Sequence, residues 1–499
     1  MQSVLRRFLA ALLILWLAAA NPVAAQLPDG LDPNDFEMPP IPPIPDGGGD
    51  IPPPNIPEAP TMDPNEILAG RLEFASSPNP VGSGARAIGM GGAFIGVADD
   101  ATAASWNPGG LVQLKTPEVS VVFSGVHRRE DNHFPLDPEA DGAESVTGED
   151  INYLSAVYPF NLFNRNMVVS LNYQHLDDFT RSWDFLSRES DTEDIIFDGI
   201  VIDTLTNETV SRYRNDVDGG LSALGLAYSI QIISDLSVGF TFNIWDDELT
   251  DSEWESKNRV DIENVVASAL TGTRQSSVFL LRTKDSYSFE GINFNIGAIW
   301  KATKELTVGA VFKSPFTADI QHERSSTIFR DNEMIADIRS SSDEKMRMPM
   351  SYGVGLAWRV SDSLTVSADF FKTHWEDLEI EDVDGEKRSP ITNKSPTESG
   401  IDPTHQFRFG MEYLFIDPEV DYVIPLRCGV FYDPAPAVGS PDDYYGFSLG
   451  SGFGMGRVVF DMAYQFRYGN DVGESLVDGS DFSQDVEEHL LYSSLIIHF

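Results

Sequence analysis

Apolar residues recur at every second position through about fourteen stretches of about ten residues, and that period leaves few folds open to the chain. It begins with Val119, Val121 and Phe123, then Leu154, Ala156, Tyr158 and Phe160, then Met167, Val169, Leu171 and Tyr173. It is clearest in Leu236, Val238, Phe240, Phe242 and Ile244, and in Met350, Tyr352, Val354, Leu356 and Trp358. The positions between are small or polar, among them Ser120, Asn172, Thr241, Asn243, Asn293, Asn295, Ser367, Asp369, Arg408 and Asp461. Successive side chains of a strand point to opposite faces, so each stretch makes one apolar and one polar face. A soluble sandwich alternates in the same way. The connections decide against it. Short ones (161–166, 231–235, 301–305, 361–363, 416–421, 450–456) alternate with long ones (128–149, 178–216, 246–285, 315–347, 376–403, 433–443, 470–486). Short turns at one end, long loops at the other and an even strand number mark an outer-membrane barrel with both termini periplasmic. Trp300, Trp358 and Tyr413 at stretch ends fit its aromatic girdles. The expected fold class is all-β, an antiparallel transmembrane β-barrel of about fourteen strands. On this reading arginine is costly at Phe240 or Val354 and tolerated at Thr241.

The charge and the N-terminus narrow the setting. A formal net charge of −44 excludes a nucleic-acid partner, which needs stripes of Lys and Arg. The only long apolar run, 8–20, is too short for a spanning helix. Preceded by Arg6 and Arg7 and followed by Val23, Ala24 and Ala25, it reads as a secretory signal occupying 1–25. Residues 26–68 are proline- and acid-rich and lack the apolar content for a core, which predicts an extended spacer or a ligand for a periplasmic partner. Cys428 is the only cysteine, so neither a disulfide framework nor a Cys-based metal site is available.

Between the spacer and the first strand lies a glycine-dense stretch, 81–114, with no clean helical or strand period. Gly84, Gly89, Gly91 and Gly92 permit sharp turns and close packing, and Asn107-Pro108-Gly109-Gly110 reads as a hard turn. Gly82-x-Gly84-x-x-Ala87 formally fits a dinucleotide fingerprint. That reading needs a buried strand before it, where Pro78 and Pro80 stand instead. The run GARAIGMGGAFIGVADDATAASWNPGGL resembles the N-terminal signature of the FadL/TodX superfamily of outer-membrane transport proteins, with Asn107 and Pro108 matching and Gly109 in place of alanine. The resemblance implies a 14-stranded barrel with 69–114 as a hatch in its lumen, 115–499 as the barrel, and hydrophobic small molecules as cargo. Gly84, Arg86, Gly89, Gly91, Gly92, Asp99, Asp100, Asn107 and Pro108 are then the candidate hatch and gating residues. Asp99 and Asp100 are expected to meet lumen Arg, Lys or backbone N–H groups. The Gly-Ala-Arg-Ala and Ala-Asp-Asp-Ala-Thr-Ala portions also resemble barrels similar to PorV, which shuttle secreted protein cargo.

No catalytic, cofactor or metal set is expected. The eight histidines fall in no H-E-x-x-H or related spacing, and no G-x-S-x-G elbow is present. The acidic turns at 216–219 and 382–385 are half of a calcium loop; they read as solvated, although divalent cations could bridge them to lipopolysaccharide phosphates. In the long loop 246–285, Asp261 and Gly272 bracket a predicted short helix with Ile262, Val265, Val266 and Leu270 on one face. Phe279 and Leu280 follow, and Phe329 lies in the next long loop. The resemblance implies a weak capture site for hydrophobic ligand in these two loops, formed by Val265, Val266, Leu270, Phe279, Leu280 and Phe329; the alternative is that they pack loop on loop. Phe499, with Ile497 and Leu495 on its face, resembles a signal to the barrel-assembly machinery. The expected function is passive transport of long-chain fatty acids or aromatic hydrocarbons, and the alternative is a PorV-like shuttle. A continuous apolar pocket favours transport; a lumen packed with polar groups favours the shuttle.

Overall fold

The computed structural model describes residues 82–197, 200–417, 422–477 and 482–499, so the signal expected at 1–25, the extension expected at 26–68 and the first part of the hatch expected at 69–114 lie outside the described residues. Twenty strands follow in chain order. They are β1 (Glu118–His133), β2 (Gly142–Leu162), β3 (Arg165–Asp178), β4 (Arg181–Phe197), β5 (Ile200–Ile233), β6 (Leu236–Trp245), β7 (Glu253–Ser268), β8 (Arg274–Lys301), β9 (Leu306–Lys313) and β10 (Phe316–Arg330). Then come β11 (Glu333–Met348), β12 (Ser351–Arg359), β13 (Leu364–Thr373), β14 (Glu379–Glu381), β15 (Lys387–Arg388), β16 (Thr404–Asp417), β17 (Tyr422–Tyr432), β18 (Tyr444–Met455), β19 (Val458–Val472) and β20 (Ser483–His498).

Fourteen of these strands close an antiparallel barrel, β1 pairing with β2 on one side and with β20 on the other. Closure gives every strand of the wall a partner on each side, the condition for crossing lipid with strands. The other six, β4, β7, β10, β11, β14 and β15, come from the long connections. They pair with the outward extensions of β5 and β8 in the order β4-β5-β7-β8-β10-β11-β14-β15, continuing the wall beyond the lipid belt. Two-residue turns close two of the hairpins: Phe163-Asn164 and Asp331-Asn332 all have positive φ, the geometry whose twist matches the flanking strands.

The alternation sorts as lipid demands. Phe240 and Val354 are about half exposed, whereas Ser120, Asn172, Asn243, Asn295, Asp369 and Asp461 face inward and are buried. Replacing Phe240 with arginine is therefore expected to cost about 2–4 kcal/mol in a lipid-based unfolding titration. The expected tolerance at Thr241 does not hold. Its side chain is fully buried and its hydroxyl donates to Ala104 O at 3.0 Å, so the inner wall there is packed rather than open to water.

The helix expected over 261–272 is also corrected. Asp261 lies mid-strand in β7, whose residues pair with β5 on one side and β8 on the other. Two ladders of long-range hydrogen bonds outweigh a local capping pattern worth about 1 kcal/mol. Gly272, at φ +66°, turns the β7–β8 hairpin instead of ending a helix.

One part of the wall is incomplete. Pairing of β2 with β3 runs from Leu162↔Arg165 to Tyr153↔Gln174 and stops there. The irregularity in β1–β2 at Val122/Phe123 and that in β3–β5 at His175/Asp177 flank this place.

Candidate functional site

The inner wall is organised around residues 82–114, which form two short helices, α1 (Ala85–Gly89) and α2 (Ala103–Trp106), and a 3-10 turn over Pro108–Gln113. Helices this short do not hold themselves. Side chains of the barrel hold them. Asp369 accepts from Phe94 N at 2.7 Å and Ile95 N at 2.8 Å. Ser494 Oγ accepts from Ala85 N, and Ser448 Oγ from Gly91 N, both at 2.8 Å. Tyr153 and Ser237 hydroxyls donate to Ala101 O at 3.0 Å and Gly109 O at 2.7 Å. Asn107 ties the turn to its surroundings: its Oδ1 accepts from Gly109 N, while its Nδ2 donates to Ile95 O and to Ala298 O of β8, each at 3.0 Å. Within the segment Trp106 Nε1 donates to Ser83 O at 2.7 Å, and the indole sits edge-on to Phe94.

Charged groups form a second set of ties. Arg86 Nη1 meets Asp99 Oδ1 at 2.6 Å, and its Nη2 meets Glu412 of β16 at 2.9 Å. Glu412 also accepts from Arg427 Nε at 2.6 Å, and Arg427 Nη1 reaches Asp461 at 2.5 Å. Asp100 Oδ1 accepts from Thr102 N at 2.9 Å and from the Thr102 hydroxyl at 2.6 Å. The two aspartates thus find their partners within their own segment rather than on the wall. Farther around the wall Arg408 and Arg467 both meet Asp433, at 3.3 and 3.2 Å, and Arg467 meets Glu488 at 3.0 Å.

Glycines of the wall let the two backbones touch. A Cβ on Gly410 would stand 2.1 Å from Met90 O, and one on the cross-strand neighbour Gly429 would stand 2.3 Å from Gly91 N. The pairs Gly239↔Gly297 and Gly309↔Gly355 repeat this against Pro108 and Ile95. The sequence reading assigned these wall glycines no role. Their signal was a glycine at an inward position in strand after strand.

Cavities lie on both sides of the segment. One of about 110 Å³ is walled by Leu176, Trp245, Phe316, Met348, Phe371 and Trp375, with Asn243, Asn293 and Lys313 among its polar groups. A second, of about 80 Å³, has Ile88 and Trp106 on one side and Gly148, Asp150, His175 and Asp178 on the other, so it reaches the unpaired stretch between β2 and β3. Both touch Leu176. At the short-turn end two larger spaces, about 480 and 530 Å³, meet Asp99 and Gln113 beside Lys301 and Arg359.

The aromatic wall continues outward into the extracellular sheet. Phe179, Trp254, Tyr287 and Phe289 pack with Ile320, Met346, Trp375 and Ile391 in one buried cluster. Tyr287 stacks on His322, whose ring is held by Asp285 at 2.8 Å and Glu344 at 3.2 Å. Burial disfavours the charged ring, but hydrogen bonds to these two carboxylates outweigh it and raise its pKa above the ordinary value.

The candidate gating residues are therefore brought together. The six candidate capture residues are brought together only in part: Leu280 and Phe329 are cross-strand partners in β8 and β10, with Phe279 next to Leu280 in the chain. Val265 and Val266 are part-buried in β7, and Leu270 is exposed at a hairpin tip. Phe279 and Phe329 lie beside Arg330 and Arg282 on the outer hairpins. The cavities described above are lined by other side chains.

Residues 211–484, more than half of the chain, match the family described as outer membrane protein transport protein (OMPP1/FadL/TodX). The chain belongs to this family. It is a multi-pass β-barrel of the outer membrane, and the FadL/TodX family is one of transport proteins. Its fold is similar to that of a Pseudomonas aeruginosa FadL homologue, with a TM-score of 0.55 and 14% identity over 85% of this chain and 100% of that one. It is also similar to a TodX deltaS2S3 mutant, described as a monoaromatic hydrocarbon channel, with a TM-score of 0.51 and 14% identity over 84% of this chain and 99% of that one. No curated protein matches the sequence.

Proposed function

We propose that this barrel carries small, ring-sized hydrophobic compounds inward, with residues 69–114 acting as its hatch. The observation that carries the reading is the pair of small cavities that share Leu176, one against an aromatic wall and the other at the unpaired stretch between β2 and β3. A cavity of about 150 Å³ holds benzene, and about 110 Å³ is nearer to the size of a single ring than to that of a long acyl chain. An apolar ligand gains by leaving water for Trp245, Phe316 and Trp375, and Ile88 and Trp106 bar its way straight down. The side exit offers it lipid instead. A PorV-like shuttle calls for polar packing throughout the lumen; the aromatic wall supports transport. The outer hairpins with Val266 and Leu270 would supply first contact, 1–25 the export signal, 26–68 a spacer, and Phe499 the recognition end for barrel assembly.

Two measurements test this. Deleting 81–96 is expected to raise single-channel conductance several-fold; an unchanged trace refutes the hatch role. Liposomes containing the intact barrel are expected to take up toluene faster than a long-chain fatty acid, and the reverse order refutes the ring-sized class.

A further inference from the structure

The unpaired stretch of wall carries a cluster that transport of an apolar compound does not require. Beside it, Asn152 Nδ2 of β2 donates to His175 O of β3 at 3.3 Å. Beside that link Asp150 of β2 and His175 and Asp178 of β3 converge, one ligand atom from each lying within 4.8 Å of the others. His175 is oriented by Ser222, whose hydroxyl lies 2.9 Å from Nδ1, while its Nε2 is buried with no hydrogen-bond partner among the described residues. Asn152 is 9% exposed, lines the same cavity, and leaves its Oδ1 equally buried and unpartnered there. Asp178 Oδ1 is fixed by Thr180 N at 2.9 Å. A histidine held at one nitrogen with the other available, facing a carboxylate fixed by a backbone N–H, is the arrangement of a metal ligand with its supporting shell.

We propose that Asp150, His175 and Asp178 bind a zinc-class divalent cation that ties β2 to β3 across the unpaired stretch. Imidazole nitrogen with carboxylate oxygen is a zinc donor set, and Asn152 Oδ1 or solvent would complete four ligands. Calcium and magnesium, which take oxygen ligands, should bind more weakly. The ion would cross-link the wall at the place where backbone hydrogen bonds are missing. Rested on the side exit proposed above, its consequence is a clasp: bound zinc closes the way out.

Titration calorimetry on the purified full chain in detergent tests the site with zinc alone as probe. One zinc per barrel is expected, bound at least tenfold less tightly by His175→Ala and by Asp178→Asn. Heat-modifiable gel migration identifies folded variants, and Asp150→Asn, at an exposed position, gives a milder one. Zinc binding equal in wild type and folded variants, or calcium bound as tightly as zinc, overturns the site. In liposomes, zinc should slow wild-type uptake of toluene several-fold and leave His175→Ala unaffected by the ion. Equal slowing of both overturns the clasp. A wild-type barrel that carries no toluene even without zinc refutes the transport reading, and the titration still decides the site.

Discussion

Replacing Arg427 with methionine is expected to lower the unfolding free energy of the barrel by about 3–5 kcal/mol, the cost of breaking a buried ion pair. The guanidinium is buried between two carboxylates, Glu412 at 2.6 Å and Asp461 at 2.5 Å. Methionine fills much of the space but supplies no charge, so Asp461 loses this partner and Glu412 keeps only Arg86. Much of the loss is the penalty of a stranded carboxylate, so adding Asp461→Asn should recover a large part of it. Urea unfolding from lipid vesicles measures both. A loss under about 1 kcal/mol would mean that water reaches these groups and screens them as it does surface pairs.

The second large effect is expected from a single methyl group. Gly410→Ala puts its Cβ at 2.1 Å from Met90 O, closer than van der Waals contact allows, and neither backbone has a flexible end with which to yield. The barrel is held by fourteen paired strands, whereas Met90 is held by a few hydrogen bonds, so the segment should move and the wall should stay. Bursts of raised conductance are expected in Gly410→Ala. Gly454→Ala, where the nearest atom is 3.7 Å away, should trace like wild type. Quiet traces from both would show that the segment accommodates the methyl group without leaving its seat.

The parts of this molecule that could be read from the chain are those for which a single solvent set the rule. Lipid accepts only apolar side chains, so Phe240, Val354, Phe409 and Leu449 announce the outer face without reference to any neighbour. The inner face obeys no such rule. Thr241 looks like a water-facing residue until Ala104 is seen against it, and Gly410 looks like a weak strand position until Met90 is. Residues 84–108 stood out as a set because they are contiguous. Arg86 with Glu412 did not, the two being 326 residues apart. At Asp261–Gly272 a real local helix signal lost to pairing partners that no short window contains. The Asp150, His175 and Asp178 cluster lay hidden for a related reason: two strands contribute to it, and ligand spacing along one strand cannot express that.

The bond from Ala85 N to Ser494 Oγ joins residues 409 apart, and it bears on how the protein is made. The segment that includes Ala85 leaves the ribosome and crosses the inner membrane ahead of every strand that will hold it. Its seats are distributed from Tyr153 on β2 to Ser494 on β20, so no partial wall offers more than a fraction of them. Until the last strand arrives, an apolar stretch containing Met90, Phe94, Ile95 and Trp106 has nowhere to be buried. The pairing of β1 with β20 is thus the step at which the full set of seats for this stretch exists, and until then its apolar side chains face water or a partial wall.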